Sequence, residues 1–192
     1  MIWFTSDLHA YHKNISGPTI SEWKTGYRDF VDEIQMTNFF IEKINENVKD
    51  NDILYFLGDW SFGHPYNIKR FRDQINCKTI HFILGNHDSY IRTNKKFIIE
   101  TGIIYAKDLF SSVQNTLSIT HNNINIFLSH YSHRVWPTSH KGSIHLFGHS
   151  HGALQGIGKS MDVGIDNAKN ILGEYRPFNI DEILILLNND KN

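Results

Sequence analysis

The chain has 192 residues, a length that suits one domain with a substantial core. Its 19 basic residues nearly balance 20 acidic ones, so the formal charge of -1 provides no general attraction to nucleic acid or an anionic membrane. The single cysteine, Cys77, excludes an intrachain disulfide, and no apolar stretch approaches the roughly 20 residues of a membrane-spanning helix. Because no signal peptide precedes the first apolar run, we expect a cytoplasmic protein.

The first half of the chain combines apolar runs with one amphipathic segment. Residues 2–5, 53–57 and 79–84 are predicted to be buried strands, and residues 11–27 a long loop without clear periodicity. A helix is predicted to begin at Asp29 as N-cap, because apolar residues then recur at steps of four and three. The residues of this predicted helix face are Phe30, Ile34, Thr37, Ile41, Ile44 and Val48.

The second half is richer in strands. Residues 116–120 and 124–128 predict a hairpin around the dipeptide Asn122-Asn123, and residues 144–147 and 161–165 predict two further strands. Helices alternate with strands early and strands dominate late. This order predicts an α/β fold in which two sheets pack together with helices outside them.

The end of the chain contains a helix start signal. Asn179 is followed three residues later by Glu182, which resembles a capping box and predicts a final short helix through Leu187.

Side chains that can bind a metal follow almost every apolar run. Because the ends of neighbouring buried strands converge at one edge of a sheet, we expect these side chains to form one site. Carboxylate, imidazole and amide oxygen without thiolate suit divalent ions such as Mn, Fe or Zn rather than Ca. The candidate ligands are Asp7, His9, Asp59, Asn86, His130, His149 and His151.

This set is larger than one tetrahedral ion requires, so two ions that share a carboxylate fit better. Asp59 lies midway in the series and is the expected bridge. Two divalent ions, the carboxylates of Asp7 and Asp59 and a bridging hydroxide would leave a net charge of about +1. That charge would attract phosphate, and hydrolysis of a phosphoester is the reaction that such a site suits.

The ordered motifs also resemble those of a known family. Asp7-Leu8-His9, Gly58-Asp59, Gly85-Asn86-His87-Asp88, His130 and Gly148-His149-Ser150-His151 are similar to the successive motifs of calcineurin-like metallophosphoesterases. Among these, the chain resembles the small single-domain enzymes of bacteria and phages. The resemblance implies a four-layer αββα sandwich of two mixed sheets flanked by helices, formed by residues 1–192 as a single domain.

The resemblance also implies a role for each motif residue. His87 matches the catalytic histidine that protonates the leaving alkoxide or contacts the phosphate, and Asp88 is expected to orient its imidazole. The metals implied are Mn, Fe, Zn or Ni, with Mn favoured. One ion would be held by Asp7, His9, Asp59 and His151, and the second by Asp59, Asn86, His130 and His149.

Four further residues are candidates for binding substrate. His12 and Asn14 resemble the continuation of the first motif, and they either contact substrate or tether the loop. Arg28 and Arg134 either bind phosphate or belong to a solvated surface.

Two carboxylates near the last motif have two interpretations. Asp162 and Asp166 either support the histidine loop or serve local turns.

The leading prediction is a phosphodiesterase or phosphohydrolase for a small phosphoester, with a nucleotide as the expected type of substrate. Trp60 follows Gly58-Asp59 where protein Ser/Thr phosphatases continue with Asp-Arg-Gly, which disfavours a phosphoprotein substrate. One alternative is a nuclease acting on nucleic-acid ends, which the near-neutral charge disfavours. Another is a non-catalytic binding module, which would be expected to lack His87 or several ligands. The sequence does not indicate an oligomeric state.

Overall fold

The computed structural model describes residues 1–17 and 28–189, and eleven strands lie within this part of the chain. They are β1 (Ile2–Thr5), β2 (Ile53–Phe56), β3 (Thr79–Ile83), β4 (Lys96–Ile99), β5 (Gly102–Tyr105), β6 (Ser112–Gln114), β7 (Thr116–His121), β8 (Ile124–Ser129), β9 (Ile144–Phe147), β10 (Ser160–Asp162) and β11 (Phe178–Asn179). The α-helices of the same residues are α1 (Glu33–Asn47), α2 (Tyr66–Arg72), α3 (Ser89–Arg92), α4 (Ile165–Leu172) and α5 (Ile180–Asn189).

Two mixed sheets form the centre of the fold. The first has the order β11-β1-β2-β3-β6, in which only β11 is antiparallel to its neighbour. The second has the order β10-β9-β8-β7, in which only β7 is antiparallel. Strands β4 and β5 form a separate hairpin. The predicted α/β architecture of two mixed sheets with flanking helices is therefore confirmed.

Alternate residues of the first sheet face two different hydrophobic clusters. Trp3, Leu54 and Phe82 pack into a cluster with side chains of α1 and α2. Phe4 and Tyr55, their immediate neighbours, pack into a second cluster with the second sheet and with α4 and α5. This period of two is the geometry of a strand buried on both faces, and it accounts for the continuous apolar runs in the sequence.

The amphipathic helix α1 begins three residues later than predicted. Asp32, not Asp29, is its N-cap, and its carboxylate accepts hydrogen bonds from the backbone N–H groups of Ile34 (3.0 Å) and Gln35 (2.7 Å). The expected buried face is confirmed at Thr37 and Ile44 but not at Ile34. Ile34 is 38% exposed, whereas the buried residues of the helix are Met36, Thr37, Phe40 and Ile44.

The predicted hairpin of the second sheet is confirmed. Asn122 and Asn123 adopt left-handed conformations (φ 47° and 63°) between β7 and β8, as a tight two-residue turn requires. The predicted strand of residues 161–165 is wrong at its C-terminal end. Strand β10 stops at Asp162, whose side chain accepts a hydrogen bond from Gly164 N at 2.7 Å, and Ile165 begins α4.

The last predicted helix is confirmed together with its cap. Glu182 N donates to Asn179 Oδ1 at 2.9 Å, and Asn179 N donates to Glu182 Oε2 at 3.0 Å, which is a capping box. Helix α2, helix α4 and the hairpin of β4 and β5 were not predicted. Each is too short for its periodicity to stand out from the surrounding sequence.

The predicted loop of residues 11–27 lies in large part outside the described residues; its first part contains a short 3-10 helix, Lys13–Ile15. No helix in residues 1–17 and 28–189 is long and apolar enough to cross a membrane.

Candidate metal centre

The predicted ligands lie where parallel strands end. In the first sheet Asp7, Asp59 and Asn86 follow β1, β2 and β3, which are neighbours. In the second sheet His130 and His149 follow β8 and β9, which are also parallel neighbours. The structure therefore brings residues that are far apart in sequence to one edge of the two sheets, as the strand pattern predicted.

Most of these ligand residues have a left-handed backbone. For a residue other than glycine this conformation costs of order 1–3 kcal/mol and persists only where the surrounding structure holds it. Main-chain hydrogen bonds between the loops do so here, including Asp7 N to Gly58 O (3.0 Å) and His9 N to Asp59 O (3.0 Å). Such strain is concentrated at functional sites. The residues are Asp7 (φ 59°), His9 (49°), Asp59 (59°), His149 (67°) and His151 (50°).

Asp7, His9 and His151 form a first cluster, which we call the buried group. Each offers one ligand atom, and these atoms lie within 4.8 Å of one another. Asp7 Oδ1 and both ring nitrogens of His9 are buried and have no hydrogen-bond partner among the described residues. A buried polar atom without a partner costs about 1–3 kcal/mol. A cation would satisfy these atoms, so the residues of this group fit a metal ion.

The electrostatics of the buried group also fit a cation. Burial lowers the pKa of His9 well below its usual range, with smaller contributions from His151 and Arg28, so the ring is neutral as a metal ligand must be. Burial raises the pKa of Asp7 well above its usual range. An adjacent cation would reverse that shift, because an opposite charge favours the ionised carboxylate.

Asp59, His130 and His149 form a second cluster, which we call the open group because His149 is exposed. Their ligand atoms also lie within 4.8 Å of one another. His130 Nδ1 lies 2.7 Å from Leu57 O, so it is the donor and leaves Nε2 of the neutral ring as an acceptor. That nitrogen lies 2.9 Å from Asn86 Oδ1. Two acceptors this close fit around a shared cation.

Asp59 lies between the two groups. Its Oδ2 is 3.6 Å from His9 Nε2 and 3.6 Å from His130 Nε2. Its Oδ1 accepts a hydrogen bond from His87 N at 2.9 Å. One carboxylate oxygen thus faces both groups, which is the position that the predicted bridging ligand requires.

Two glycines allow the loops to approach this closely. A Cβ at Gly148 would collide with Ser6 Oγ and Asp7 Oδ2, and one at Gly85 would collide with the carboxylate of Asp59. The glycine that begins each of these two motifs therefore makes room for a ligand side chain of a different motif.

The structure contradicts the prediction that Arg28 binds substrate. Its side chain is fully buried (0% exposed) and forms a bidentate ion pair with Asp166 through Nε and Nη2, each at 2.8 Å. The guanidinium also donates to the carbonyl oxygens of Asp7 (2.5 Å) and Leu8 (2.7 Å). Arg28 therefore braces the first ligand loop from inside the protein and cannot reach a substrate.

Asp166 connects Arg28 to His151 of the last motif. Its Oδ2 lies 2.6 Å from His151 Nδ1, which leaves Nε2 of that ring to face the buried group. Burial opposes ionisation of Asp166, but Arg28 and His151 together lower its pKa. Burial likewise opposes charge on His151, yet the hydrogen bond to Asp166 and the charge of Asp7 raise its pKa.

Asp162 supports the same loop. It accepts hydrogen bonds from Ser150 Oγ (2.5 Å) and Gly152 N (2.9 Å). Of the two interpretations that the sequence left open, both therefore apply to Asp162, which supports the histidine loop and also accepts from Gly164 N in a local turn, whereas Asp166 supports the loop through His151.

Asp88 has a different role from the one predicted. Its buried carboxylate accepts hydrogen bonds from the backbone N–H groups of Asp59 (2.8 Å), Trp60 (3.0 Å) and Gly85 (2.7 Å), not from the imidazole of His87. Burial, together with the charge of Asp59, raises the pKa of Asp88 to about 6. Asp88 thus fixes the backbone around the shared carboxylate.

His87 itself is exposed at the surface of the site. Its ring centroid lies 5.5 Å from that of His9 and 5.0 Å from that of Phe62. It is accessible to a ligand from solvent, as a proton donor to substrate must be.

The remaining candidates lie at different distances from the centre. His12 is buried, stacks on Phe62 with ring centroids 3.8 Å apart, and lies 5.5 Å from the ring of His9. Burial, and then the charge of His87, lowers the pKa of His12 to about 4. Asn14 is exposed in the 3-10 helix, and Arg134 is exposed in the segment after β8. Substrate binding by His12, Asn14 and Arg134 stays a prediction.

Sequence reasoning missed the pairing of Arg28 with Asp166 and the place of Phe62 beside His12. The paired residues are separated by 138 positions. No motif or periodicity connects residues so far apart, so no signal in the sequence could have found the pair.

Comparison with known proteins identifies the family. Residues 1–177 match the calcineurin-like phosphoesterase family, and the chain belongs to it. The predicted resemblance is thus confirmed at the level of the superfamily. Membership indicates a metal-dependent phosphoester hydrolase.

Two individual proteins are similar to the chain. An uncharacterized protein of Methanocaldococcus jannaschii is 33% identical over 91 residues, which are 46% of this chain and 47% of that protein, so the chain spans about half the length of this curated relative. The crystal structure of a protein of unknown function from Aquifex aeolicus superposes with a TM-score of 0.66 at 18% identity, covering 97% of this chain and 98% of that one. At this identity the likeness supports the fold alone.

Proposed function

We propose that the protein is a dinuclear metal-dependent phosphoesterase that hydrolyses a small phosphoester, with a nucleotide-type ester as the expected substrate. The observation that carries the proposal is the position of Asp59 Oδ2, 3.6 Å from a histidine nitrogen of the buried group and 3.6 Å from one of the open group. Two clusters that share one carboxylate fit two ions better than one.

Each group would hold one ion, with Asp59 shared and Asn86 added to the open group. When bound, two divalent ions would polarise the phosphoryl group and make water acidic at neutral pH. The ligand set mixes carboxylate, imidazole and amide oxygen, which suits Mn, Fe, Zn or Ni, and manganese is the metal that we favour among them.

His87 is the residue that we propose as general acid. It is exposed beside the centre, and its backbone N–H is held by Asp59 Oδ1 at 2.9 Å. Its imidazole would donate a proton to the leaving oxygen as the phosphoester bond breaks. Asp88 would act indirectly, because its three backbone hydrogen bonds hold the loops that carry Asp59 and His87.

The test compares Asp59→Ala with His87→Ala in metal-loaded protein. Asp59→Ala is expected to lose bound metal and hydrolysis of aryl phosphodiesters together. His87→Ala is expected to keep its metal while turnover falls by about 10²- to 10⁴-fold. His140→Ala, an exposed histidine of the 3-10 helix Ser139–Lys141, serves as the control and should keep both. A fully active Asp59→Ala variant would contradict the shared carboxylate.

A substrate panel distinguishes the alternatives. Aryl mono- and diesters, cyclic nucleotides, dinucleotide polyphosphates and short oligonucleotides are assayed with wild-type protein. Preference for oligonucleotides would favour the nuclease alternative. No turnover of any ester by protein that binds two ions would favour a non-catalytic binding module.

A further inference from the structure

A small cavity opens beside His87, at the edge of the proposed metal centre. Its volume is about 230 Å³, and it is lined by Ser61, Phe62, Ser89 and Tyr90 together with Asn86 and His87. Its walls therefore come from the loop after β2 and from the segment that contains α3. The cavity is thus continuous with the residue proposed as general acid.

Apart from His87, the walls of the cavity are formed by uncharged residues. Among the described residues that line the cavity there is no lysine, arginine, aspartate or glutamate. The hydroxyl groups of Ser61 and Ser89 can form hydrogen bonds, and Phe62 and Tyr90 offer aromatic surface. Apart from His87, no described residue of the walls would offer a phosphate or carboxylate group an ion pair, whereas an uncharged ring would gain apolar contact with Phe62 and Tyr90.

The two rings differ in how firmly they are held. Phe62 is stacked on His12, with an interplanar angle of 10°, and lies 5.0 Å from the ring of His87. Tyr90 is 41% exposed. Phe62 can thus act as a fixed wall, while Tyr90 has accessible ring surface for an incoming group.

The proposed role of His87 says which part of a substrate would enter. A general acid donates its proton to the leaving oxygen, so the leaving group must extend from that oxygen next to His87. We propose that this cavity binds the leaving group of the substrate and that this group carries a flat, uncharged ring, aryl or nucleobase. The inference rests on the proposed function. A cavity smaller than the 300–1,000 Å³ typical of ligand pockets suits one such group rather than a whole ligand.

The test measures binding rather than turnover. Methylphosphonate, phenylphosphonate and an adenosine 5′-phosphonate, none of which has a hydrolysable ester, are titrated into metal-loaded protein by calorimetry. At least one ring-bearing phosphonate is expected to bind about 10-fold tighter than methylphosphonate, and which of the two gains distinguishes aryl from nucleobase.

The matched variants are Tyr90→Ala and Tyr66→Ala. Tyr66 has a similar exposure, 44% against 41% for Tyr90, but does not line the cavity. In Tyr90→Ala the preference for the ring is expected to fall to about 2-fold, whereas in Tyr66→Ala it should stay near 10-fold. A conservative Tyr90→Phe variant should retain the preference, because the ring surface remains.

The possible results distinguish failure of the ring-binding cavity from failure of the proposed phosphoesterase function. Equal binding of all three phosphonates, or a preference that survives Tyr90→Ala, would overturn the ring-binding cavity and leave the phosphoesterase in place. Loss of the preference in Tyr131→Ala instead, next to His149 at 4.6 Å between ring centroids, would place the ring on the other side of the centre and also overturn it. Binding of none of the phosphonates would contradict the proposed function as well.

Discussion

The buried group and the open group contain the same kinds of ligand, two histidines and one aspartate each, in different surroundings. In the buried group His151 is held by Asp166, which is itself held by the enclosed guanidinium of Arg28. In the open group His130 is held by a backbone carbonyl, and Asn86 and His149 are exposed.

For the two proposed ions, this difference in surroundings makes the two positions unequal. A carboxylate behind a histidine ligand raises its basicity and fixes its orientation, and its loss typically weakens metal binding by 10- to 100-fold. A backbone carbonyl oxygen also fixes the orientation of a histidine ligand, but it carries less negative charge than a carboxylate. We therefore expect the buried group to bind its ion more tightly and to exchange it more slowly than the open group.

The largest expected effect is that of Arg28→Met. Removal of the guanidinium leaves the buried Asp166 carboxylate without its cation. Such a change lowers the free energy of unfolding by about 3–5 kcal/mol. We expect that loss in urea denaturation at neutral pH, together with weaker metal binding at the buried group.

The matched control for Arg28→Met is Arg176→Met. Arg176 also forms a bidentate pair, with Glu182 at 2.7 and 3.0 Å, but 15% of its side chain and 27% of that of Glu182 are exposed. Arg176 also pairs with Glu174, which is 53% exposed, so solvent screens this group of charges more than the Arg28 pair. A screened pair contributes about 0–1 kcal/mol, so this variant should lose less stability than Arg28→Met and keep the binding of both proposed ions. Equal losses in the two variants would show that burial of the Arg28 pair is not what matters.

The next largest effect is a loss of folding stability at acid pH that we attribute to His145. His145 lies on β9, four residues before His149, and its buried ring accepts a hydrogen bond from His133 N at 3.0 Å. Burial lowers its pKa from 6.5 to about 4. The unfolded chain therefore binds a proton that the folded chain does not between these values, so stability is complete above pH 6.5 and is lost as the pH falls towards 4.

A shift of this size corresponds to about 3 kcal/mol, since each pKa unit is worth about 1.4 kcal/mol. The check is urea denaturation of the wild type and of His145→Phe from pH 7 to pH 4. Carboxylates titrate in both proteins, so the quantity of interest is the difference, and the wild type should lose about 3 kcal/mol more than the variant. Parallel profiles would refute the role of His145.

The smallest effect tests the comparison most directly. Asp166→Asn removes the charge behind His151. The variant should bind one of the two proposed ions about 10- to 100-fold more weakly, while its affinity for the other ion is unchanged. Calorimetric titration with Mn²⁺ resolves the two binding events, and Glu182→Gln is the control outside the site. Equal weakening of both ions would mean that the two groups do not act separately.

Local signals in the sequence were enough for much of the fold. The apolar runs of β1, β2, β3, β8 and β9 gave the strands, and the capping box at Asn179 gave the start of α5, because these features depend on neighbours within a few residues. The N-cap of α1 was misplaced because Asp29 and Asp32 are both suitable caps, and only packing of Met36 and Phe40 against the sheet selects between them.

Some features of the candidate site could likewise be predicted from the sequence, and others could not. The types of the candidate ligands and their position at strand exits could be read from the sequence, because apolar runs and motifs depend on residues that are close together in the chain. Tertiary structure alone decided that Arg28 is an internal brace, that Asp88 holds backbone and that one group is more enclosed than the other. These properties depend on burial and on contacts between residues such as Arg28 and Asp166, 138 positions apart, which no local pattern encodes.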